Sequence, residues 1–572
     1  AAVAPGATIM EAADAAGVHI PRLCYHPGLS IQGACRVCVV EVEGLRNLVA
    51  SCAYPAADGM VVRTNSPLLR RVRRDIVELI LDNHPKECQT CQRNTSCELQ
   101  RLAYDLGVRE RLFEGERKRY ARDESAPSVI RDQEKCILCG RCVRVCDEVQ
   151  GVSNLSQQHR GFHITVSPAH DLPMMESVCV HCGQCAAVCP TAAILEHSAT
   201  DAVFEALNDP AKLVIVQTAP AIRATVGEGF GFPPGTPTTG KLVHALRLMG
   251  FDRVFDTNFA ADLTIVEEAH EFIQRLKTGE RLPLLTSCSP GWINFMEHFY
   301  PELIPNASTC RSPMSMLSVL LKTRYAEQQK LDPKMIYTVA IMPCTAKKFE
   351  ARRAEHQAPW GAPYTDAVLT TRELIWMMKS MGVAFESLPD QAFDSPLGTS
   401  SGAADIFGTT GGVMEAALRT AYELITGTDC PALDFTAVRY VEGSREAAVD
   451  IDGRPVRVGV ANGLNNAKKL LDAVLAGEAR FDLIELMACP GGCIGGGGQP
   501  YPPPGIHLLN PALLARRAKA LYSIDSGKAL RLAHKNPEIV RLYADYLGEP
   551  NGPRAHELLH THYEPKQPRG IR

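Results

Sequence analysis

The spacing of the cysteines constrains this chain more than any other feature. The 572 residues include 21 cysteines, and most of them recur in short clusters rather than across the whole sequence. Disulfide frameworks are typical of small secreted domains, whereas closely spaced cysteines in a large chain indicate metal ligation in a reducing compartment. At about 100–200 residues per domain, this length predicts roughly three to five domains around several metal sites.

Two runs of four cysteines give the most specific signal. Both follow the spacing C-x2-C-x2-C-x3-C, and a proline follows the second run. This is the pattern of bacterial two-cluster ferredoxins, in which the fourth cysteine of each run ligates the other cluster. The runs therefore predict two 4Fe-4S clusters. The predicted ligand sets are Cys136, Cys139, Cys142 and Cys189 for the first cluster, and Cys179, Cys182, Cys185 and Cys146 for the second.

Two further sets of metal-binding residues precede these runs, on either side of a predicted helix from Leu68 to Asp82. The first set indicates a 2Fe-2S cluster, with a structural zinc site as the alternative, because zinc also accepts four cysteines. The second set has a histidine in place of one thiolate, which predicts a 4Fe-4S cluster of raised potential. The sets are Cys24, Cys35, Cys38 and Cys52, then His84, Cys88, Cys91 and Cys97. Four clusters in the first third of the chain predict an electron relay.

The second half of the chain has a different sequence pattern. From about Lys212, short apolar strands alternate with helical segments, as in KLVIVQ (212–217) and YTVAIMP (337–343). Such alternation predicts α/β architecture, in which ligand sites gather at the carboxyl ends of strands. The cysteines that follow such strands are Cys288, Cys344, Cys489 and Cys493. Cys310 and Cys430 are expected to be small, buried apolar residues.

Charge and hydropathy exclude two classes of function. The formal net charge is −4, the isoelectric point is near 6.5, and the basic residues are scattered, so nucleic-acid binding is not expected. No run of about 18 apolar residues occurs, so we expect no membrane span and a cytoplasmic location. The chain has no convincing dinucleotide fingerprint, so nicotinamide chemistry would belong to another polypeptide.

Three motifs in the second half resemble the signature motifs of FeFe hydrogenases. They are TSCSPGW (286–292), MPCTAKKFE (342–350) and ELMACPGGCIGGGGQP (485–500). The order of the N-terminal clusters is similar to that of the long clostridial and NAD(P)-linked members. The segments LYADYLGEP (542–550) and AHELLHTHY (555–563) resemble the C-terminal, small-subunit-like element of the family.

This resemblance implies a modular α+β fold of five parts. The implied parts are a 2Fe-2S ferredoxin-like (β-grasp) domain at 1–66, a 4Fe-4S domain with one histidine and three cysteine ligands at 67–125, a ferredoxin-like domain with two 4Fe-4S clusters at 126–200, a large α/β FeFe-hydrogenase-type domain at 201–510 and the small-subunit-like element at 511–572. The resemblance further implies an H-cluster, which joins a 4Fe-4S cubane to a diiron centre with CO, cyanide and azadithiolate ligands.

The family pattern assigns roles to residues of the second and third motifs. Three cubane ligands would be Cys344, Cys489 and Cys493, and Cys493 would bridge to the diiron centre. Lys347 would face a cyanide ligand, with Glu350 fixing its end of the loop. Met342 and Met487 would pack beside the diiron unit, and the glycines after Cys493 would let backbone approach the cofactor.

The first motif departs from the family pattern. Members usually read TSCCP, where the first cysteine carries protons and the second ligates the cubane. Here Cys288 matches the proton carrier, and Ser289 occupies the ligand position. Either Ser289 binds as an alkoxide, Cys288 turns in to replace it, or the catalytic cluster is incomplete. Met314 also stands where the family commonly has glutamine.

A proton route is better preserved. Glu268, Glu271 and Arg275 have helical spacing and would share one face. With Cys288 and Ser308 they match the relay of the family, because each group can give and accept protons. The alternative is an ordinary solvated, charged helix face.

The leading hypothesis is a FeFe-hydrogenase-type subunit that interconverts dihydrogen with protons and electrons. Its electrons would pass to ferredoxin, or to a flavin/NAD(P)-binding partner subunit with a small 2Fe-2S subunit. The rival is a hydrogenase-like conduit without the diiron centre, which would link a dehydrogenase, such as one for formate, to an NAD(P)-reducing module. A redox sensor or cluster-assembly factor fits less well, because a long relay implies sustained electron flux.

Overall fold

The computed structural model describes residues 2–110, 115–439, 443–502 and 506–567 and divides into two units. The first unit comprises Ala1–Glu148, Ser153–Ser177 and Cys185–Leu195, and the second comprises Val149–Val152, Val178–Gln184 and Glu196–Arg572. The five predicted domain boundaries stay predictions.

The first unit consists of short helices and strands that carry the cysteine loops. Its helices are α1 (Ile9–Ala15), α2 (Pro67–Asp82), α3 (Glu98–Asp105), α4 (Arg141–Arg144) and α5 (Gln184–Val188). Its strands are β1 (Val39–Val42), β2 (Val49–Ala50), β3 (Val62–Arg63), β4 (Val129–Arg131), β5 (Ser156–Gln158), β6 (Thr165–Ser167) and β7 (Ile194–Glu196). Strand β1 lies between β2 and β3 in an antiparallel sheet, β5 pairs with β6, and β4 pairs with β7. Helix α5 and strand β7 each cross the division by one residue.

Helix α2 shows how the local sequence sets these elements. The Oγ of Ser66 accepts the N–H of Leu69 at 3.2 Å, and Pro67 occupies the first helical position, where its missing N–H costs nothing. The predicted helix from Leu68 to Asp82 is confirmed, with one more residue at its start. The helix ends two residues before His84, so its position fixes where that side chain can lie.

The second unit alternates strands and helices over most of its length. Its helices are α6 (Thr200–Leu207), α7 (Thr239–Leu248), α8 (Thr257–Thr278), α9 (Pro290–Phe299), α10 (Pro313–Leu320), α11 (Ala326–Gln329), α12 (Ala346–Glu350), α13 (Thr371–Ser380), α14 (Gly402–Asp405), α15 (Gly412–Thr426), α16 (Leu464–Leu475), α17 (Pro511–Gly527), α18 (Pro537–Leu542) and α19 (Pro553–Leu559). Its strands are β8 (Leu213–Thr218), β9 (Arg253–Asp256), β10 (Leu284–Leu285), β11 (Ile336–Met342), β12 (Ala367–Thr370), β13 (Ser444–Ile451), β14 (Arg454–Asn462) and β15 (Leu483–Met487).

These strands form two four-stranded sheets. One has the order β12-β11-β8-β9 and is parallel throughout, and the other has the order β10-β15-β14-β13. Strands β8, β11 and β15 are apolar and buried almost along their length, as expected for parallel strands covered on both faces. The α/β prediction for this half is confirmed.

One hairpin at the edge of the second sheet escaped prediction. Strand β13 pairs antiparallel with β14, and its residues are mostly exposed. The turn between them is Asp452-Gly453, and both residues have positive φ (55° and 74°). An Asp-Gly turn of this kind is a strong hairpin signal, but the polar strand before it masks the signal in a hydropathy pattern.

The sheets bring together the carboxyl ends of four strands. The segments that follow β8, β10, β11 and β15 contain Pro220, Cys288, Cys344 and Cys489, and all four residues line one cavity. Helix α8 packs beside this region and is buried along most of its 22 residues. Within the described ranges, no helix combines the length and the apolar character needed to span a membrane.

Candidate functional site

The four cysteines predicted to hold a 2Fe-2S cluster converge in the first unit. The N–H of Cys24 donates to the Sγ of Cys35, and the N–H of Cys35 donates to the Sγ of Cys24, both at 3.5 Å. The Sγ atoms of Cys38 and Cys52 are 3.4 Å apart. Hydrogen bonds from the thiols of Cys35 and Cys52 hold the pKa of Cys24 below its ordinary value. Four sulfur atoms at this spacing fit a 2Fe-2S cluster.

The predicted His/Cys set also surrounds one space. His84, Cys88, Cys91 and Cys97 line a cavity of about 330 Å³ between the end of α2 and the start of α3. Cys97 precedes α3, and its Sγ accepts the N–H of Gln100 at 3.5 Å. One imidazole and three thiols around a cavity of this size fit a 4Fe-4S cluster with a mixed ligand set.

The structure brings together the four cysteines that were predicted to ligate the first ferredoxin-like cluster. Cys136, Cys139 and Cys142 line a cavity of about 400 Å³ together with Cys189 from the second run. Burial raises the pKa of Cys136 to about 11 and that of Cys139 to about 12, so these thiols stay neutral unless a cation offsets the charge. This donor set fits a 4Fe-4S cluster.

The second run repeats the backbone of the first. Leu138 and His181 have positive φ (55° and 61°), and each donates its N–H at 3.4 Å to the cysteine two residues earlier. For the second cluster, Cys179 and Cys182 belong to the second unit, whereas Cys146 and Cys185 belong to the first. The four-residue grouping around this cluster therefore stays a prediction.

Two buried arginines tie the cluster segments of the first unit together. Arg141 pairs with Glu98 at the start of α3, with an N–O distance of 2.7 Å. Arg144 donates to the carbonyl of Cys24 at 2.6 Å. Both arginines follow the first cysteine run closely in sequence, so α4 fixes the three cluster segments relative to one another.

A cavity of about 780 Å³ lies at the carboxyl ends of the strands in the second unit. Its wall contains most of the residues that the three motifs predicted, and also residues that they did not predict. The predicted residues on the wall are Cys288, Ser289, Met314, Met342, Cys344, Lys347, Met487, Cys489 and Cys493. The wall residues without a predicted role there include Cys182, Ala219, Pro220, Thr257, Ala261 and Phe407.

Three thiols on this wall are held in a setting that disfavours negative charge. Burial is the first cause that raises the pKa of Cys344, of Cys489 and of Cys493, the last to about 12. A buried thiol becomes a thiolate when a bound metal supplies the compensating charge. The cavity, its size and its three buried thiols therefore fit an iron–sulfur cluster, with a fourth donor to come from Cys288 or Ser289.

Lys347 brings a buried cation to the same wall. It lies on α12 one turn before Glu350, and the two side chains pair at 2.7 Å. Its Nζ also donates to the carbonyl of Cys288 at 3.2 Å. Glu350 thus pairs with the lysine at the cavity wall, and the contact of Lys347 with a cyanide ligand stays a prediction.

The glycine run after Cys493 packs closely against the chain itself, and its predicted approach to the cofactor stays a prediction. A Cβ added at Gly495, Gly496 or Gly497 would lie 2.0–2.3 Å from a backbone carbonyl oxygen. The oxygens belong to Pro490, Pro343 and Cys182 respectively. Only Gly496 of these three lines the cavity.

Gly497→Ala should therefore disrupt the cavity wall. The added Cβ would meet the Cys182 carbonyl at 2.3 Å, and overpacking of this kind costs about 1–3 kcal/mol or more. We expect a lower thermal denaturation midpoint and lower iron content in the anaerobically purified variant. Gly527→Ala is the matched control, because nothing lies within 4 Å of a Cβ there. Equal midpoints for the two variants would contradict this account.

Hydrogen bonds join three residues of the predicted proton relay, Arg275, Glu271 and Ser308. Arg275 donates to Glu271 at 2.6 Å, and the hydroxyl of Ser308 donates to the other oxygen of Glu271 at 2.9 Å. Arg275 also donates to the carbonyls of Asn306 and Ala307, which holds the guanidinium in place. The alternative of an ordinary solvated, charged face on helix α8 is excluded, because these side chains are mostly buried.

Glu268 lies one turn earlier on α8 and is fully buried. Burial, with a smaller effect from Glu271, raises the pKa of Glu268 to about 8. A hydrogen bond with Ser308 acts in the opposite direction. Burial and, next, the charge of Glu268 raise the pKa of the Cys288 thiol. Cys288, Glu268, Ser308 and Glu271 therefore form one cluster of proton-bearing groups.

Two buried glutamates near the site were not predicted. Glu485 accepts the N–H groups of Gly411 and Met414 at 2.6 and 2.8 Å, and burial raises its pKa to about 7. Glu485 is the first residue of the third motif. A charged residue within the otherwise apolar strand LIELM could have marked it as a functional residue. Glu267 accepts the N–H of Asn551 at 2.8 Å and pairs with His560 at 3.0 Å. No local signal marks that contact.

Cys310 and Cys430, which were predicted to be small buried apolar residues, differ in their burial. Cys310 is fully buried, as expected. Cys430 is only partly buried, and its thiol donates to the carbonyl of Ala432 at 3.3 Å. Neither lines the thiol-lined cavity.

The converging cysteine sets and the buried, thiol-lined cavity define a multi-cluster iron–sulfur redox protein. Family models match along the chain. The iron only hydrogenase large subunit, C-terminal domain, matches residues 212–497, and the iron hydrogenase small subunit matches 511–566. A 2Fe-2S iron-sulfur cluster binding domain matches 1–67, the NADH-ubiquinone oxidoreductase-G iron-sulfur binding region matches 73–111, and a 4Fe-4S dicluster domain matches 135–193.

Similar proteins extend this match to nearly the whole chain. The NADP-reducing hydrogenase subunit HndD of Solidesulfovibrio fructosivorans is 49% identical over 99% of this chain and 97% of that protein. Iron hydrogenase 1 of Clostridium pasteurianum is 39% identical over 97% of each. A structure of a variant of apo FeFe-hydrogenase HydA1 from Chlamydomonas reinhardtii matches with a TM-score of 0.57 and 44% identity, over 64% of this chain and 98% of that one. The chain belongs to the iron-only, or FeFe, hydrogenase family, as the motifs predicted.

Proposed function

We propose that this chain is a hydrogenase subunit that interconverts dihydrogen with protons and electrons. One observation carries the proposal: a single cavity is lined by the three predicted cubane cysteines, by Lys347 in its pair with Glu350, and by Cys288, whose thiol adjoins proton-bearing groups. Electron transfer alone needs no such proton path. Membership of the hydrogenase family supports the same conclusion.

The cluster ligands in this proposal are Cys344, Cys489 and Cys493, with a fourth donor from the segment after β10. When bound, a cubane joined to a diiron centre supplies the redox chemistry that splits dihydrogen heterolytically. Lys347 places a buried positive charge on the cavity wall, where it favours anionic ligands of the bound group. Met342 and Met487 exclude water from the wall with soft, apolar surface.

Protons move through side chains of the second unit. Cys288 takes or gives a proton at its Sγ, on the wall of the cavity. Glu268 exchanges that proton with the hydroxyl of Ser308, and Ser308 passes it to Glu271 over 2.9 Å. Arg275 holds Glu271 in place at the outer end of the route.

The rate of dihydrogen evolution should fall as the pH rises through about 8. The pKa of Glu268 is raised to about 8, so its carboxyl is protonated, and able to donate, below that pH and ionised above it. We expect an inflection near pH 8 in the evolution rate of the wild-type chain, measured with reduced dye, and a flat profile over that range for Glu268→Gln. An unchanged inflection in the variant would show that another group titrates.

Electrons pass along four accessory clusters in this proposal, one 2Fe-2S and three 4Fe-4S. Cys182, a predicted ligand of the second ferredoxin-like cluster, lies on the wall of the catalytic cavity, so that cluster is the natural exchange point. The relative HndD is a subunit of an NADP-reducing hydrogenase. By analogy, the partner of this chain is a flavin/NAD(P)-binding subunit with a small 2Fe-2S subunit, and ferredoxin is the alternative acceptor. A cytoplasmic location stays a prediction.

A conduit without the diiron centre is the second candidate. Ser289 and Met314 favour it, because both line the cavity where the family usually has other residues. Such a conduit would relay electrons from a dehydrogenase, for example one for formate.

Infrared spectra and dihydrogen-dependent dye reduction separate the two candidates. We expect bands of iron-bound CO and cyanide, together with dye reduction, from the full chain matured with the hydrogenase assembly machinery. Intact accessory clusters without those bands and without dye reduction would replace the proposal with the conduit.

A further inference from the structure

Five cysteines line the catalytic cavity, and Cys182 among them is a predicted ligand of the second ferredoxin-like cluster. Cys344, Cys489 and Cys493 are the three predicted ligands of the cubane, whereas a 4Fe-4S cubane takes four protein ligands. Two neighbouring side chains after β10 compete for the fourth position. They are Cys288 and Ser289, and both line the cavity. The sequence left this choice open, but the hydrogen bonds around the two residues differ.

The hydroxyl of Ser289 does not make the helix-capping hydrogen bond that is usual for a serine at its position. Ser289 directly precedes helix α9 and has an extended backbone, with φ −98° and ψ 101°. A serine at that position usually accepts an N–H from the first turn of the helix, yet Ser289 makes no such bond. Its Oγ instead accepts the N–H of Ala488 at 3.2 Å, next to Cys489.

A donated N–H of this kind recurs at the predicted cluster ligands. The pairs are Leu138 to Cys136 and His181 to Cys179, both at 3.4 Å. Such bonds favour the anionic form of the atom that accepts them, which is the form that binds iron. The N–H of Ala488 supports the Oγ of Ser289 in the same way.

The contacts of Cys288 differ from those of Ser289. The carbonyl of Cys288 accepts from the Nζ of Lys347 at 3.2 Å, which fixes the backbone. Its side chain packs against an apolar cluster that includes Phe259 and Ala261 of helix α8, the helix that carries Glu268.

We infer that the Oγ of Ser289 is the fourth ligand of the catalytic cubane and that Cys288 stays off the cluster. The inference rests on the proposed cubane but not on hydrogen turnover. On coordination, the O–H bond of Ser289 is replaced by an O–Fe bond, one proton leaves to solvent, and no electron is transferred. Because oxygen is a harder donor than sulfur, it favours ferric iron and lowers the potential of the cubane.

The test compares three variants of the full chain reconstituted anaerobically with ferrous iron and sulfide. In Ser289→Ala the cubane would keep three ligands and lose one iron. We therefore expect the paramagnetic signal of an oxidised 3Fe-4S cluster, at about one spin per chain, that the wild type lacks. The matched control Cys288→Ala should show no such signal and the iron content of the wild type. Ser289→Cys should keep four irons and raise the midpoint potential of this cubane.

Three results would overturn the inference. They are a 3Fe-4S signal in Cys288→Ala but not in Ser289→Ala, full iron content without that signal in both alanine variants, and an unchanged potential in Ser289→Cys. Each readout is independent of dihydrogen. A wild type that shows the expected iron chemistry but no hydrogen turnover would therefore refute the proposed function and leave the inference intact.

Discussion

Cys493→Ala should abolish dihydrogen turnover while the relay clusters of the first unit remain. Cys493 is the cysteine to which the family pattern gives two roles, cubane ligand and bridge to the diiron centre. Loss of an outer partner of a metal ligand typically costs about 10–100-fold in activity or affinity. We expect more than that, with a rate at the background of the dye-reduction assay.

The matched control for this variant is Cys430→Ala. Cys430 is also a single, partly buried cysteine of the second unit, but it is not on the cavity wall. We expect wild-type turnover from this variant. Electron paramagnetic resonance of both reduced variants should show the same relay-cluster signals. Residual turnover in Cys493→Ala above about one hundredth of the wild-type rate would remove Cys493 from the ligand set.

Glu268→Gln should slow turnover by about 10²–10⁴-fold, the range that positioned proton transfer contributes. Glutamine keeps the size of the side chain but cannot release a proton at neutral pH. Infrared bands of the diiron centre should be unchanged, because Glu268 contacts the proton route rather than the predicted ligands. The rate is measured as dihydrogen evolution from reduced dye.

The control for this variant is Glu280→Gln, two residues after the end of α8. Glu280 is exposed, and only its backbone N–H makes a hydrogen bond to a side chain, that of Thr278. Its replacement should leave the rate unchanged. A loss of less than about tenfold in Glu268→Gln would mean that protons reach the cavity by another route.

The cluster sites of the relay half could be predicted because most ligands of each site lie close together in the sequence. Ligands a few residues apart on one loop can hardly avoid the same space, so spacing alone grouped Cys88, Cys91 and Cys97. The crossed partner Cys189 followed from the internal repeat. The structure brings each of these groups together around a cavity.

The catalytic half was predictable only in outline from its residues. Periodicity gave the strands and the end of the sheet at which ligands gather, but it could not show that Cys344 and Cys489, far apart in the chain, share a wall. The three motifs supplied that grouping through resemblance. The partners of Glu267 lie near the C-terminus, and no spacing rule connects them to α8.

The glycine run shows a different limit. Sequence shows that Gly495–Gly498 can tolerate close approach, but not what approaches them. The nearest atoms are mainly carbonyl oxygens and side chains of the protein itself, contributed by separate segments. Because these segments are far apart in the sequence, only the folded arrangement shows which parts of the chain these glycines pack against.

Isotope exchange tests the central claim most directly, because it needs neither the relay nor a partner subunit. The matured full chain is incubated with dihydrogen in deuterated water, and the headspace is followed by mass spectrometry. Heterolytic cleavage at the thiol-lined cavity predicts steady formation of HD without an added electron acceptor, and no HD from Cys493→Ala. Matured protein that carries its diiron centre and yet forms no HD would contradict the account.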